Sequence, residues 1–164
     1  MTNPDPISLR PAILHDAPTI ARHRRQMFRD MGYHDEARLD SMMAQFLPWV
    51  EAKMASADYL AWFAVHDKEE KVDKGEKIVA GAGLWLMDWP PHMIGSSPRR
   101  ANILNVYTEP EFRRRGLARH LMEAAIDWCK TNHIDLVILH ASPEGRALYE
   151  SLGFRASNEM RLKL

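Results

Sequence analysis

Three consecutive arginines, Arg113, Arg114 and Arg115, stand against Gly116 where an apolar-periodic helix begins, in "YTEPEFRRRGLARHLMEAAIDWCK". Like charges repel, and the positive end of a helix dipole disfavours cations there. The arrangement therefore calls for something negative. Free N–H groups at a helix N-terminus point outward, glycine lets a ligand approach the backbone, and arginines add charge-assisted hydrogen bonds. Strand, arginine loop and Gly116 together form a candidate anion cradle. The competing reading is a solvated arginine run beside a glycine that eases a turn. The loop has neither the glycine–lysine–serine/threonine ending of a nucleotide P-loop nor G-x-G-x-x-G, which argues against ATP and NAD.

A second candidate is Tyr149, in "SPEGRALYESLGF". Helical spacing puts Leu148 and Leu152 on one apolar stripe and Tyr149 about 100° round from it. Ser142, Gly145 and Tyr149 share that other face, and Gly145 leaves room for a ligand chain beside the phenol. Other chemistries find little support. The eight histidines form no H-x-x-x-H pair and have no nearby cysteine, so no metal is expected. "HASPEG" is not a nucleophile elbow. Cys129, the single cysteine, falls on the apolar side of its helix and reads as a buried, inert thiol.

These residues need elements to hold them. "ISLRPAIL" reads as a first strand broken by Pro11. "DAPTIARHRRQMFRDMG" reads as a helix capped by Asp16, with Pro18 in its first turn and Gly32 at its end. Arg22, Arg24 and Arg25 within it read as a solvated face. "DEARLDSMMAQFLPWVEAKMAS" reads as a second helix that Pro48 should kink or restart. "YLAWFAVHD" and "EKIVAGAGLWLMDW" read as strands joined by the solvated hairpin loop "DKEEKVDKGEK". The loop "PPHMIGSSPRR" leads to the strand "ANILNVYT". The arginine-headed helix follows, with Leu117, Leu121, Ala124, Ala125 and Trp128 as its buried stripe. "IDLVILHA" reads as a strand covered on both faces. Ser142 and Pro143 then open a short helix closed by Gly153, and "FRASNEMRLKL" supplies the last strand. The order indicates one mixed α/β domain over residues 1–164.

The chain's 164 residues suffice for one core, and 46% apolar with 27% charged residues is a globular balance. Zero formal net charge argues against nucleic acid or an anionic membrane as partner. "MTNPDPISLR" lacks the pattern of a secretory signal, and the apolar stretches are too short to span a bilayer. The expectation is a cytoplasmic protein, with a homodimer left open.

The motifs carry a resemblance. "RRRGLA" matches the Q/R-x-x-G-x-G/A signature of the GCN5-related N-acetyltransferases, with Arg113 first, Gly116 fourth and Ala118 last. "NVYTEPEF" resembles that family's preceding strand and turn, and "SPEGRALYESLGF" its second signature. The resemblance implies a GNAT-like α/β domain: a mixed central sheet flanked by helices, with a splayed strand pair forming an acetyl-CoA cleft. It implies acetyl-CoA as co-substrate. Its pyrophosphate would sit on the amides of Arg113, Arg114, Arg115, Gly116, Leu117 and Ala118, with Arg119 close by. The backbone of Val106, Tyr107 and Thr108 would bond the pantetheine arm. Ser142 stands where the family usually has a cofactor-contacting asparagine, with Arg146 following it on the helix. Tyr149 takes the place of the tyrosine that protonates the leaving thiolate.

No base transfers from the family, since Asn102 and Asn105 stand near the positions where relatives place a glutamate. Glu109, Asp88, His23 and His92 stay as candidates. Met27, Met31, Tyr33, Trp85, Met87 and Trp89 fall on segments that by resemblance line the acceptor side, which favours an amine with an apolar or aromatic body over a polyamine. Two functions follow. One is direct transfer of acetyl from acetyl-CoA to a primary amine of a small molecule or peptide. The other is a catalytically inactive CoA-binding sensor or interaction module.

Overall fold

Along "RRANILNVYT" every second residue from Ala101 to Tyr107 is buried, the period-two signature of a strand. This strand lies between two others in the sheet. The structure, a computed structural model, describes residues 7–66 and 76–164. In chain order its elements are β1 (Ile7–Pro11), α1 (Ala17–Asp30), α2 (Glu36–Ala55), β2 (Tyr59–His66), β3 (Lys77–Asp88), β4 (Arg99–Thr108), α3 (Leu117–Thr131), β5 (Val137–Leu139) and α4 (Arg146–Ser151). Short 3-10 turns precede α1 and α3. The five strands form one sheet in the order β1-β2-β3-β4-β5. The first three pairings are antiparallel and β4–β5 is parallel. The charged loop expected between β2 and β3 lies outside the described residues over 67–75.

α1 and α2 cover one face, where Ile20, Phe46 and Val50 pack on Tyr59 and Phe63. α3 covers the other through Leu117, Leu121, Met122, Ala125 and Cys129. Among the described residues, no helix is long and apolar enough to cross a membrane. Asp16 begins α1 as expected, but its carboxylate accepts from the Ile13 amide at 2.8 Å and from Arg10 at 2.8 Å rather than from the helix. α2 is capped by Asp35, which accepts from the Arg38 amide at 3.0 Å.

Three expectations are corrected. α2 does not restart at Pro48 but runs unbroken through it. Proline removes one amide from the helix ladder, but fully buried Val50 and Trp49, whose ring lies 5.3 Å from that of Trp85, pin the following turn to the core. "IDLVILHA" contributes only the three residues of β5, all half-buried, so this strand is a short edge rather than one covered on both faces. "FRASNEMRLKL" forms no strand, and residues 155–164 are exposed. A strand exists only through a partner's hydrogen bonds, and no described edge pairs with this segment. A smaller difference concerns α4. Ser142 Oγ accepts from the Gly145 amide at 3.2 Å and so caps a turn, and the helix itself starts at Arg146.

Candidate active site

β4 and β5 part company. Their pairing runs from Ala101↔Val137 to Ile103↔Leu139 and stops, while β4 continues to Thr108. The cause lies in β4 itself. Asn105 adopts a left-handed conformation with φ +57°, and the register with β3 slips between Gly81 and Gly83, a β-bulge. Asparagine tolerates that conformation better than most residues. The parted strands open a cleft of about 1080 Å³, with residues 104–108 on one wall and Leu139, His140 and Ser142 on the other.

The N-terminus of α3 closes one end of the cleft. Gly116 has φ +79°, and a Cβ placed there would meet no atom within 4 Å, so the backbone is open to a visitor. Val106, Tyr107, Thr108, Arg113, Arg114, Gly116, Leu117, Ala118, Arg119, Ser142 and Tyr149 all line this single cleft. Arg115 and Arg146 do not. Arg115 lies over the Phe112 ring at 4.9 Å and donates to the Glu111 carbonyl, and Arg146 pairs with Glu150 at 2.9 Å on the exposed side of α4. Arg113 is braced by Asp30 and by the Thr108 carbonyl at 3.0 Å, and Arg119 by Ser151 at 2.7 Å.

Tyr149 projects into the cleft from α4. A Cβ on Gly145 would fall 2.8 Å from its ring, so the room beside Gly145 is filled by the phenol itself. Burial pushes the phenol's pKa up, which keeps it a proton donor. Its hydroxyl hydrogen-bonds to no described residue. Leu148 faces the cleft, whereas Leu152, expected on the same stripe, packs into the core with Met122 and Phe154.

At the other end of the cleft, Met27, Met31, Tyr33 and Trp85 line the wall, joined by Phe28, Phe46 and Trp49. Met87 and Trp89 do not line it. They sit further along the β3 side, where Arg100 stacks on Trp89 at 3.8 Å. None of the four candidate bases lines the cleft either. Asp88 and His92 are exposed at the sheet's far end. Glu109 is committed to Arg22 at 2.7 Å and to the Tyr107 hydroxyl at 3.2 Å. His23 is 1% exposed and packs its ring 4.9 Å from that of Tyr107. Burial, then the nearby charge of Arg22, drives its pKa down to about 3, although Glu109 approaches to 3.8 Å. That carboxylate is already neutralised by Arg22, so burial wins and the imidazole is neutral. Burial likewise pushes the Cys129 thiol up to about 11, as befits an inert core residue.

One residue at the site belongs to the run expected to be a solvated face. Arg24 lines the cleft, sandwiched 5.0 Å from the Phe28 ring and 4.8 Å from that of Phe46. Its Nη1 donates to Asn105 Oδ1 at 2.8 Å, and Asn105 Nδ2 donates to the buried Tyr59 hydroxyl at 2.8 Å. The sequence held a signal for this. Ile20, Arg24, Met27, Phe28 and Met31 recur at helical spacing, so Arg24 interrupts an apolar stripe rather than joining a polar face.

Comparison with known proteins agrees with this architecture. Residues 20–154 match the profile of the acetyltransferase (GNAT) family. A GCN5-related N-acetyltransferase from Ralstonia eutropha JMP134 is 31% identical, with 97% of this chain and 99% of that chain covered and a TM-score of 0.84. A predicted acetyltransferase from Clostridium acetobutylicum, solved with acetyl-CoA, is 26% identical over 97% of this chain and 96% of that one, with a TM-score of 0.80. The ribosomal protein bS18-alanine N-acetyltransferase of Salmonella typhimurium is 38% identical over 64 residues, a match spanning 37% of this chain and 43% of that enzyme.

Proposed function

This chain belongs to the acetyltransferase (GNAT) family, and on that premise we propose that it transfers acetyl from acetyl-CoA to the primary amine of a small molecule or peptide. The observation that carries the reading is the parting of β4 from β5 beside an arginine-bearing helix N-terminus. The residues present fit the co-substrate. Five arginines and two carboxylates line the cleft, an excess of positive charge suited to a diphosphate. The uncovered edge of β4 beyond Ile103 offers backbone donors and acceptors for an amide-bearing arm, and the relative solved with acetyl-CoA shares the fold.

Transfer breaks the carbon–sulfur bond and forms a carbon–nitrogen bond. The nitrogen gives up a proton and the departing thiolate takes one up. Tyr149 is the donor for the thiolate, since its phenol is neutral and faces the cleft. Arg113, Arg114 and Arg119 hold the diphosphate together with the amides of Gly116, Leu117 and Ala118. The aromatic and methionine wall opposite receives the body of the amine, and the arginine-rich lining repels a polyamine.

Thiol release from acetyl-CoA, measured across a panel of amines, tests the reading. Turnover with at least one hydrophobic amine, and none faster with spermidine, is expected. Tight acetyl-CoA binding with no release on any amine would instead support a CoA-binding module without catalysis.

A further inference from the structure

We propose that the amine acceptor also carries a carboxylate, which Arg24 binds at the acceptor end of the cleft, so that the substrate class is an amino acid or similar zwitterion with an apolar or aromatic body. The inference rests on the acetyltransferase reading and specifies its acceptor.

The first observation is an unbalanced charge. Arg24 pairs with no carboxylate among the described residues; its hydrogen bond is to the neutral amide of Asn105. The two flanking phenyl rings stabilise a cation by their faces but do not neutralise it. Its neighbours on the same helix show the contrast. Arg22 is matched by Glu109 and Arg25 by Glu36 and Asp40. A half-buried, unmatched guanidinium costs stability and calls for an explanation.

The second observation is unsatisfied donors. Arg24 Nε and Trp85 Nε1 are both buried without a hydrogen-bond partner, and both residues line this cleft. They are joined by a continuous aromatic wall, since Arg24 stacks on Phe46, Phe46 lies 5.5 Å from Trp49, and Trp49 lies 5.3 Å from Trp85. Buried donors normally find acceptors, so this wall is short of acceptors. The two N–H groups are covered by neighbouring atoms, and an anion in the cleft would meet the other donors of Arg24 rather than these two.

The third observation selects the anion. Arg24 is the guanidinium stacked within the aromatic wall, while Arg113, which reaches the end of the same helix, is matched there by Asp30. A single positive charge neutralises a carboxylate. It would leave a phosphate dianion with a net negative charge against phenylalanine and tryptophan, which is costly. Asn105 links Arg24 to the β4 bulge, so an acceptor held by Arg24 lies beside the strand along which the thioester arm runs.

The test has two arms on the full chain. In the first, kcat/KM is compared for phenylalanine, phenylalaninamide and phenethylamine, with phosphoethanolamine as the phosphate probe. Phenylalanine is expected to lead by about 10- to 100-fold, the range for losing a hydrogen bond to a charged group. Equal or faster acetylation of phenethylamine, or a lead by phosphoethanolamine, overturns the carboxylate assignment and leaves the acetyltransferase reading intact. In the second arm, calorimetry measures 3-phenylpropanoate and 3-phenylpropanamide binding to the acetyl-CoA-loaded protein, which requires no turnover. Preference for the carboxylate supports the proposal, and equal binding overturns it even if no amine is acetylated. Arg24→Gln should abolish the preference in both arms, and Arg24→Lys should retain part of it. Acetyl-CoA affinity serves as the check on folding, and retention of the full preference in a folded Arg24→Gln variant sinks the idea.

Discussion

At the scale of the residue, Tyr149 shows how a site and a core can share one side chain. Its ring rests against Gly145 and Phe154, the residue lines the cleft, and its hydroxyl hydrogen-bonds to no described residue. Tyr149→Phe therefore removes no bond from the fold. The melting temperature and acetyl-CoA affinity should stay nearly unchanged while kcat falls by about 10²-fold or less, because a CoA thiolate leaves readily even without an acid. Full kcat in this variant, with chemistry shown to limit the rate, would end the acid role. Tyr149 was singled out by the resemblance of its segment to the family's second signature, while the stripe drawn by helical spacing joined Leu148 to Leu152, which part in the structure. Cys129 was legible from its place on an apolar stripe. Arg24 was not, because a basic run reads as solvent-facing unless each arginine is placed on the helix wheel separately. The four acids and histidines proposed as bases were plausible by type alone. Three-dimensional packing, which sequence does not carry, removed all four from the cleft.

At the scale of the element, the N-terminus of α3 gathers backbone amides that no single side chain replaces. Gly116→Asp adds a side chain to a left-handed position and a negative charge facing the proposed diphosphate site, so acetyl-CoA affinity should fall severely, by more than 100-fold. Arg114→Ala should cost less, about 10-fold, since phosphate contacts are shared and screened. Arg115→Ala should leave affinity within about twofold, because this arginine stacks on Phe112 away from the cleft. Calorimetry on the three variants checks the ranking, and an Arg115→Ala loss as large as that of Arg114→Ala would redraw the site. The helices and the long strands were legible because their periodicities are long. Continuity through Pro48, the brevity of β5 and the irregular C-terminal segment were not. Each depends on a partner across space: Trp85 beside Trp49, the bulge at Asn105, and an edge that residues 155–164 would need.

At the scale of the whole molecule, α1 docks on the sheet through a histidine whose burial favours its neutral form. His23 is buried between Phe63 and Tyr107, and its pKa falls from 6.5 to about 3. In the unfolded chain the same imidazole takes up a proton near its ordinary pKa. Between these values the unfolded state binds more protons than the native state, so stability rises with pH across that window and falls on acidification. The loss should begin below about pH 6.5 and approach about 2 kcal/mol by pH 5. Asp16 acts lower down. Its hydrogen bond from Arg10 depresses its pKa, so the stability it contributes is present above the ordinary carboxylate range and fades only as pH falls further. The two effects are thus separable by pH. Urea unfolding between pH 8 and 5 should show a midpoint that declines below 6.5 in the native sequence. In His23→Phe the decline over that interval should be smaller by the His23 share, whatever the variant's absolute stability. Parallel pH profiles for the two proteins would mean that His23 accepts its proton in place, with Glu109, 3.8 Å from its Nε2, then serving as counter-charge rather than as a partner spent on Arg22.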